Sequence, residues 1–203
     1  MIELTPETYL TPLDLLAIFG CAAPLHVDLG CGDGSFLCEL AQASLQRNFL
    51  GVDKLAGRVA KTCRKTAALE NVRVLNVEIS YAVRYLLPPE SVETFYLSFP
   101  DPWPKRRHHR RRLVTKDFLD AIARALVSGG SLRVTTDRRD YFDQIQRIAR
   151  NHSGFTIADA DDACHAEATR RRVDLPATKF EKRFRQQGEA IYRLSLRKTS
   201  PVA

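Results

Sequence analysis

Between residues 25 and 148 the chain alternates short β-branched runs with helical patterns, and no other feature restricts its fold as strongly. Leu25-His26-Val27-Asp28-Leu29 reads as a first strand, followed by glycines and a helix over about 35–43. Asn48-Phe49-Leu50-Gly51-Val52 is a second strand and residues 55–69 are helical; Val72-Arg73-Val74-Leu75-Asn76-Val77 is a third strand and Thr94-Phe95-Tyr96-Leu97-Ser98-Phe99 a fourth. After a proline-rich basic loop, Phe118, Leu119, Ile122 and Leu126 fall on one helical face. Leu132-Arg133-Val134-Thr135 is a fifth strand, ahead of a helix with Tyr141, Ile145 and Ile148 at i, i+4 and i+7. Strands that alternate with helices in this way form a parallel sheet with helices on both faces. Ligands of such sheets sit beyond the carboxyl ends of the strands. Residues 190–196 alternate with period two, as a half-buried antiparallel edge strand does.

Composition narrows the class further. A chain of 203 residues with 44% apolar residues suits one globular domain, and 10 Gly with 10 Pro exclude collagen-like repetition. No repeat or low-complexity linker divides it, so residues 1–203 are expected to be one domain: a lead-in at 1–24, a ligand-binding half at 25–137 and a second half at 138–203. The longest uncharged stretch, residues 15–27, is too short to span a bilayer and contains Gly20 and Pro24. Without a basic signal-like start, the chain reads as cytoplasmic. Five cysteines with no C-x-x-C pair give neither a disulfide framework nor a zinc site, so no metal is expected. The net charge is +7, and residues 105–112, Lys-Arg-Arg-His-His-Arg-Arg-Arg, hold six positive charges and no acid, leaving +1 elsewhere. The basicity reads as a local device for holding a polyanion.

Asp28-Leu29-Gly30-Cys31-Gly32-Asp33-Gly34 follows the first strand and opens the first helix. Gly30, Gly32 and Gly34 permit a tight turn and close approach of a ligand to bare backbone. A dinucleotide loop would have G-x-G-x-x-G, but Ser35 occupies the last glycine's place. Asp28 and Asp33 would repel a pyrophosphate and favour a ligand carrying an ammonium and a sulfonium, as S-adenosylmethionine does. Asp53 ends the second strand, 19 residues after Gly34, where an acid can accept both ribose hydroxyls. Glu78 ends the third strand, where an acid can take hydrogen bonds from an adenine amino group. Simpler roles compete: Asp53 could cap a helix beginning at Lys54, and Glu78 could be a solvated strand end.

Pro100-Asp101-Pro102-Trp103-Pro104-Lys105 is stiffened by three alternating prolines, which hold Asp101 and Trp103 in place. Trp103 could be core packing and the basic run a solvated face, but the run adjoins the expected ligand mouth and nucleic-acid contact is the stronger reading. His108 and His109 read as further RNA-facing side chains, since no spaced carboxylate or Cys accompanies them. Arg170-Arg171-Arg172 could add a second contact or be a solvated surface.

The segment Phe99-Pro100-Asp101-Pro102-Trp103-Pro104-Lys105-Arg106-Arg107-His108-His109 resembles the signature of the bacterial tRNA (guanine-N7-)-methyltransferase family. Thr178-Lys179-Phe180-Glu181, with Gly188-Glu189-Ala190-Ile191-Tyr192, looks like that family's C-terminal motif; the likeness spans roughly residues 25–196. The resemblance implies an α/β, Rossmann-like class I methyltransferase fold with a mostly parallel seven-stranded sheet and an antiparallel strand near the C-terminus. It implies S-adenosylmethionine as donor and a tRNA substrate, methylated at N7 of the variable-loop guanosine at position 46. By motif, the donor site falls on Asp28, Asp53, Glu78 and Asp101. The substrate side falls on Lys105, Asp137, Thr178, Lys179, Phe180 and Glu181. Asp28 stands where the family usually has Glu, and Glu78-Ile79 where it commonly has Asp-Ala. Residues 1–24 lack the Lys and Arg of the family's basic N-terminal arm.

Guanine N7 has a lone pair and no proton to lose, so no general base is required. A carboxylate beside the purine stabilises its developing positive charge and accepts from N1 and N2. Asp101, the candidate catalytic residue, and Asp137 suit this role, although Asp137 could instead be an N-cap. The rival functions are a class I methyltransferase acting on another RNA, a protein or a small molecule; a non-catalytic RNA-binding module; and, against the acidic loop, a nicotinamide oxidoreductase. Monomer and homodimer are both open.

Overall fold

The computed structural model describes residues 2–161 and 175–199. The elements are β1 (Glu3–Leu4), α1 (Leu15–Phe19), β2 (Leu25–Leu29), α2 (Ser35–Ala43), β3 (Asn48–Asp53), α3 (Ala56–Lys65) and β4 (Val72–Asn76). They continue with α4 (Ile79–Tyr81) and its π-helical extension (Ala82–Leu86), β5 (Val92–Ser98), a 3-10 turn (Arg106–Arg111), α5 (Lys116–Ala125), β6 (Leu126–Thr136), α6 (Arg139–Arg150), β7 (Phe155–Asp161), α7 (Lys179–Gln186) and β8 (Tyr192–Lys198). One sheet contains all the strands in the order β1-β4-β3-β2-β5-β6-β8-β7. The first six are parallel to one another, and β8 runs antiparallel to both β6 and β7.

Alternation along each strand sends apolar side chains to two cores. Val27, Leu29, Leu50, Val52, Phe95 and Leu97 pack with Phe118, Leu119 and Ile122 of α5 and Tyr141 and Ile145 of α6. On the other face Phe49, Val72, Val74 and Tyr96 meet Phe36, Leu37 and Leu40 of α2 and Val59 of α3. The central strands β2 and β3 are buried along their whole length, which is why they read as short apolar runs rather than as alternating ones.

Three differences from the sequence reading have physical causes. The sheet has an eighth strand, because Glu3 and Leu4 pair with Val74 and Leu75 beyond the expected edge; two residues carry no periodicity. The expected edge strand, β8, is interior: its alternation reports one polar face, and β7 takes the edge beside it. The strand expected at 132–135 begins at Leu126, directly after α5, and its pairing with β5 is irregular near Gly129 and Gly130. Residues 170–172 lie outside the described residues.

Candidate active site: an acid-lined crevice under a proline-rich tongue

Beyond the carboxyl ends of β2, β3, β4 and β5 lies a crevice of ≈ 840 Å³. Each of these strands contributes its last residues or the turn after it, so the parallel register itself assembles the site.

The glycine loop forms the floor. Gly30, Gly32 and Gly34 have φ of 85°, 60° and 74°, in the left-handed region where a side chain is strained. The amides of Gly30 and Cys31 donate to the Val52 carbonyl at 2.8 and 3.1 Å, pinning the loop to β3. Gly30 and Gly32 line the crevice with bare backbone, whereas Gly34 stands behind the wall. A Cβ on Gly34 would lie 2.7–2.9 Å from Thr62, so this glycine lets α2 start tight against α3.

Asp28 and Asp53 are both 3% exposed and both line the crevice. Asp53 accepts from the Gly32 amide at 3.1 Å and the Leu55 amide at 2.9 Å. It therefore ties two loops together rather than capping α3, whose N-cap position is Leu55. Asp28 has no hydrogen-bond partner among the described residues. Burial, then the neighbouring Asp53 carboxylate, push its carboxyl up to about 7. Burial likewise raises the Cys31 thiol, which makes it inert. Glu78 is exposed and lines the crevice while its carboxylate accepts from the Tyr81 amide at 2.9 Å, capping α4. Asp33 is held below the usual carboxylate range by hydrogen bonds from Ser35 and Lys65, which outweigh its partial burial.

The segment after β5 forms the opposite wall. It leaves the sheet at Phe99 (φ 51°) and turns again at Trp103 (φ 42°), two non-glycine residues in the left-handed region. Such positions cost about 1–3 kcal/mol and persist where the surroundings over-determine them. Here the surroundings are visible. Phe99 packs on Phe180 and Phe184 of α7 at 6.0 and 5.3 Å between ring centroids. Trp103 meets His108 edge-on at 5.9 Å and lies under the Arg111 guanidinium at 5.0 Å. Asp101, exposed between these turns, lines the crevice.

The basic octet divides. Lys105, Arg106, Arg107, Arg110 and Arg111 are exposed, but Arg112 is 2% exposed and points inward. Its guanidinium donates to the Pro102 carbonyl at 2.8 Å, to Gln144 at 2.7 Å and to Asp140, and covers the Tyr141 ring. Arg112 is a clamp between tongue and α6, not an RNA-facing cation. The histidines are half-buried, with Nε2 of His109 3.9 Å from Asp140 and without a hydrogen bond.

Thr178, Lys179 and Phe180 reach the crevice from α7. Thr178 caps that helix by accepting from the Glu181 amide at 3.1 Å. Glu181 is 7% exposed, turned away, and ion-paired with Arg185 and with Arg193 at 2.5 Å. Lys105 and Asp137 also lie outside the lining. Asp137 does not cap α6, whose N-cap position is Arg138.

Sequence reasoning missed the cations on the near bank. Lys54, Arg58 and Lys61 line the crevice from α3 and its approach, Arg84 from the π-helical turn and Arg183 from α7. The near-neutral sum outside residues 105–112 concealed this local excess. Residues 54–69 contain five cations and no acid, a signal readable in the sequence. Among the described residues no cluster of three or more His, Cys, Asp or Glu suits a metal, and no helix is long and apolar enough to cross a membrane.

Residues 22–194 match a family described as "putative methyltransferase". A tRNA (guanine-N(7)-)-methyltransferase of Halorhodospira halophila is 38% identical over 188 residues, 91% of this chain and 79% of the relative. The enzyme so named from Nitrosococcus oceani is 34% identical, covering 93% and 77%. That from Geobacter metallireducens is 32% identical, covering 98% and 94%. Among solved structures, the 16S rRNA methyltransferase KamB superposes with a TM-score of 0.67 at 18% identity, over 91% of this chain and 92% of that one. An antibiotic-related methyltransferase gives 0.64 at 21% identity, over 90% and 92%. The shared architecture is the class I methyltransferase fold expected from sequence.

Proposed function

The chain belongs to the tRNA (guanine-N(7)-)-methyltransferase family, and on that premise we propose how its residues carry out the reaction. It is an S-adenosylmethionine-dependent enzyme that methylates guanine N7 in tRNA. We assign the target to the variable-loop guanosine at position 46 and the enzyme to the cytoplasm.

The observation that carries the site assignment is the pair of buried carboxyls, Asp28 and Asp53, facing a stiff tongue across one crevice. Asp28 is an unpartnered acid in a buried wall, an environment that an ammonium or sulfonium would relieve. Gly30 and Gly32 add bare backbone beside it. The residues thus fit S-adenosylmethionine, with Asp28, Gly30 and Gly32 on its cationic part, Asp53 on the ribose and Glu78 on the adenine; Gly34 supports the loop. When bound, this group supplies an electrophilic methyl. The protein's work is then alignment, which in general contributes up to ~7–11 kcal/mol of a barrier.

On the substrate side, Asp101 is set beside the purine by the two left-handed turns of the tongue, where it accepts from N1 and N2 and offsets the charge developing on the ring. Drawing a guanine from tRNA tertiary structure costs a few kcal/mol of unstacking. Stacking on Trp103 would return ~1–3 kcal/mol. Thr178, Lys179 and Phe180 bound the pocket from α7, with Glu181 fixing the helix from behind. Lys105 holds phosphate outside the crevice, and Asp137 is assigned to the substrate side from outside the lining.

Incubation of tRNA with the protein and donor, followed by aniline cleavage, is expected to cut at one 7-methylguanosine in the variable loop. Cleavage elsewhere would overturn the positional assignment, and unmodified tRNA the reaction itself. Asp101→Asn is expected to lower kcat by about 10²-fold or more.

A further inference from the structure

The exposed cations of α3 are a feature that the donor site does not require. Arg58, Lys61 and Lys65 recur at i, i+3 and i+7, which places them along one face of the helix; Arg64 lies beside them and Lys54 stands just ahead of the first turn. All five are exposed. Like charges at this spacing destabilise a helix by about 0.2–0.5 kcal/mol per pair. Arg58 also sits in the first turn, against the positive end of the helix dipole. Elsewhere the protein neutralises such faces within the helix, as with Lys116–Asp120 on α5 and Arg139–Asp143 on α6. On α3 no acid is present to do so.

Part of this charge answers the acids of the site. Arg58 lies 3.8 Å from Asp53, and Lys65 lies 3.3 Å from Asp33. Lys61 and Arg64 have no ion-pair partner among the described residues. Position supplies the rest of the argument. α3 follows β3 and the tongue follows β5, and these strands flank β2 on opposite sides. At about 4.8 Å per strand, the two basic segments rise from strand ends roughly 10 Å apart, on either side of the crevice. Lys61 lines it from one side and Arg111 from the other.

We infer that the cationic face of α3 is a second phosphate-binding bank for the RNA, so that the substrate's backbone spans the crevice from the Arg106–Arg111 turn to α3. This rests on the assignment of tRNA as substrate. A strand held on both banks presents one nucleotide over the opening. The flanking phosphates are restrained on either side, and the base between them is the one free to drop toward Asp101.

The test compares two double variants of equal charge, Lys61→Gln with Arg64→Gln on α3, and Arg147→Gln with Arg150→Gln on the exposed face of α6 outside the crevice. For the α3 pair, tRNA Kd is expected to rise about tenfold or more, and the slope of log K against log salt to become shallower by about 1–2. The α6 pair is expected to leave both near wild type. Thermal unfolding midpoints near that of the wild type are expected for both pairs, which reports that each variant is folded. Unchanged tRNA binding in the α3 pair would overturn the inference, as would equal weakening by both pairs, which would mean general attraction of a polyanion. Failure of the wild-type enzyme to form 7-methylguanosine in tRNA is a separate outcome and counts against the functional reading instead.

Discussion

At the scale of single residues, the loop after β2 shows how one sequence motif serves two purposes. Gly30 and Gly32 face the crevice, whereas Gly34 combines a left-handed φ with a Cβ position already filled by Thr62. Gly34→Ala is expected to cost about 2–4 kcal/mol from backbone strain and overpacking, measured as a lower denaturation midpoint, while Gly32→Ala lowers donor affinity more than stability. Asp28 gives a pH prediction with a definite sign. Its carboxyl titrates near 7 when folded, against an ordinary 3.8. The stability contributed by retaining the proton is present in acid, declines as pH rises from about 4, and is lost once pH passes about 7. Asp28→Asn is expected to flatten that slope and to raise the melting temperature at pH 8. Binding of a cationic donor at pH 6 is expected to expel a proton from Asp28, seen as a dependence of calorimetric heat on buffer ionisation enthalpy. The acids at the strand ends were legible in sequence because chain order fixes where parallel strands end. The shift in Asp28 was not, since it arises from burial beside an acid from another strand.

At the scale of elements, the tongue depends on a residue that sequence reading assigned to the wrong side. Residues 105–112 look uniform because charge is visible in a sequence and burial is not. Arg112 is the member that turns inward, and it joins the Pro102 carbonyl to Asp140 and Gln144. Arg112→Met is expected to lower stability by about 2–3 kcal/mol through the partners left behind. It is also expected to open the Arg106–Arg111 turn to trypsin and to reduce kcat more than it changes donor affinity; an intact, protease-resistant tongue in that variant would deny Arg112 this role. The stiffness of the three prolines was readable. The left-handed turns at Phe99 and Trp103 were not, because aromatic residues give no local signal for positive φ and are held there by α7 and by Arg111. For β8, period-two alternation marks one apolar face and says nothing about how many neighbours a strand has.

At the scale of the whole molecule, the net charge of +7 is an incomplete description. Positive charge gathers around the crevice mouth, on the tongue, α3 and α7, while the deepest acids lie beneath it. On the proposed assignment, a cation that enters is attracted by the floor and a polyanion is held at the rim. The two ligands are expected to respond to salt differently: with four to six phosphate contacts, log K for tRNA falls with log salt at a slope of about −3 to −5. S-adenosylhomocysteine affinity, measured across the same salt series, is expected to change little. Equal slopes would mean that rim and floor do not divide the work in this way. The single indole of the chain, Trp103, sits at the tip of this arrangement, between His108 and Arg111. The molecule therefore carries one intrinsic fluorophore in the wall of the crevice where we propose that RNA and donor meet. Its emission is expected to report that binding without any label, and no other tryptophan obscures the signal.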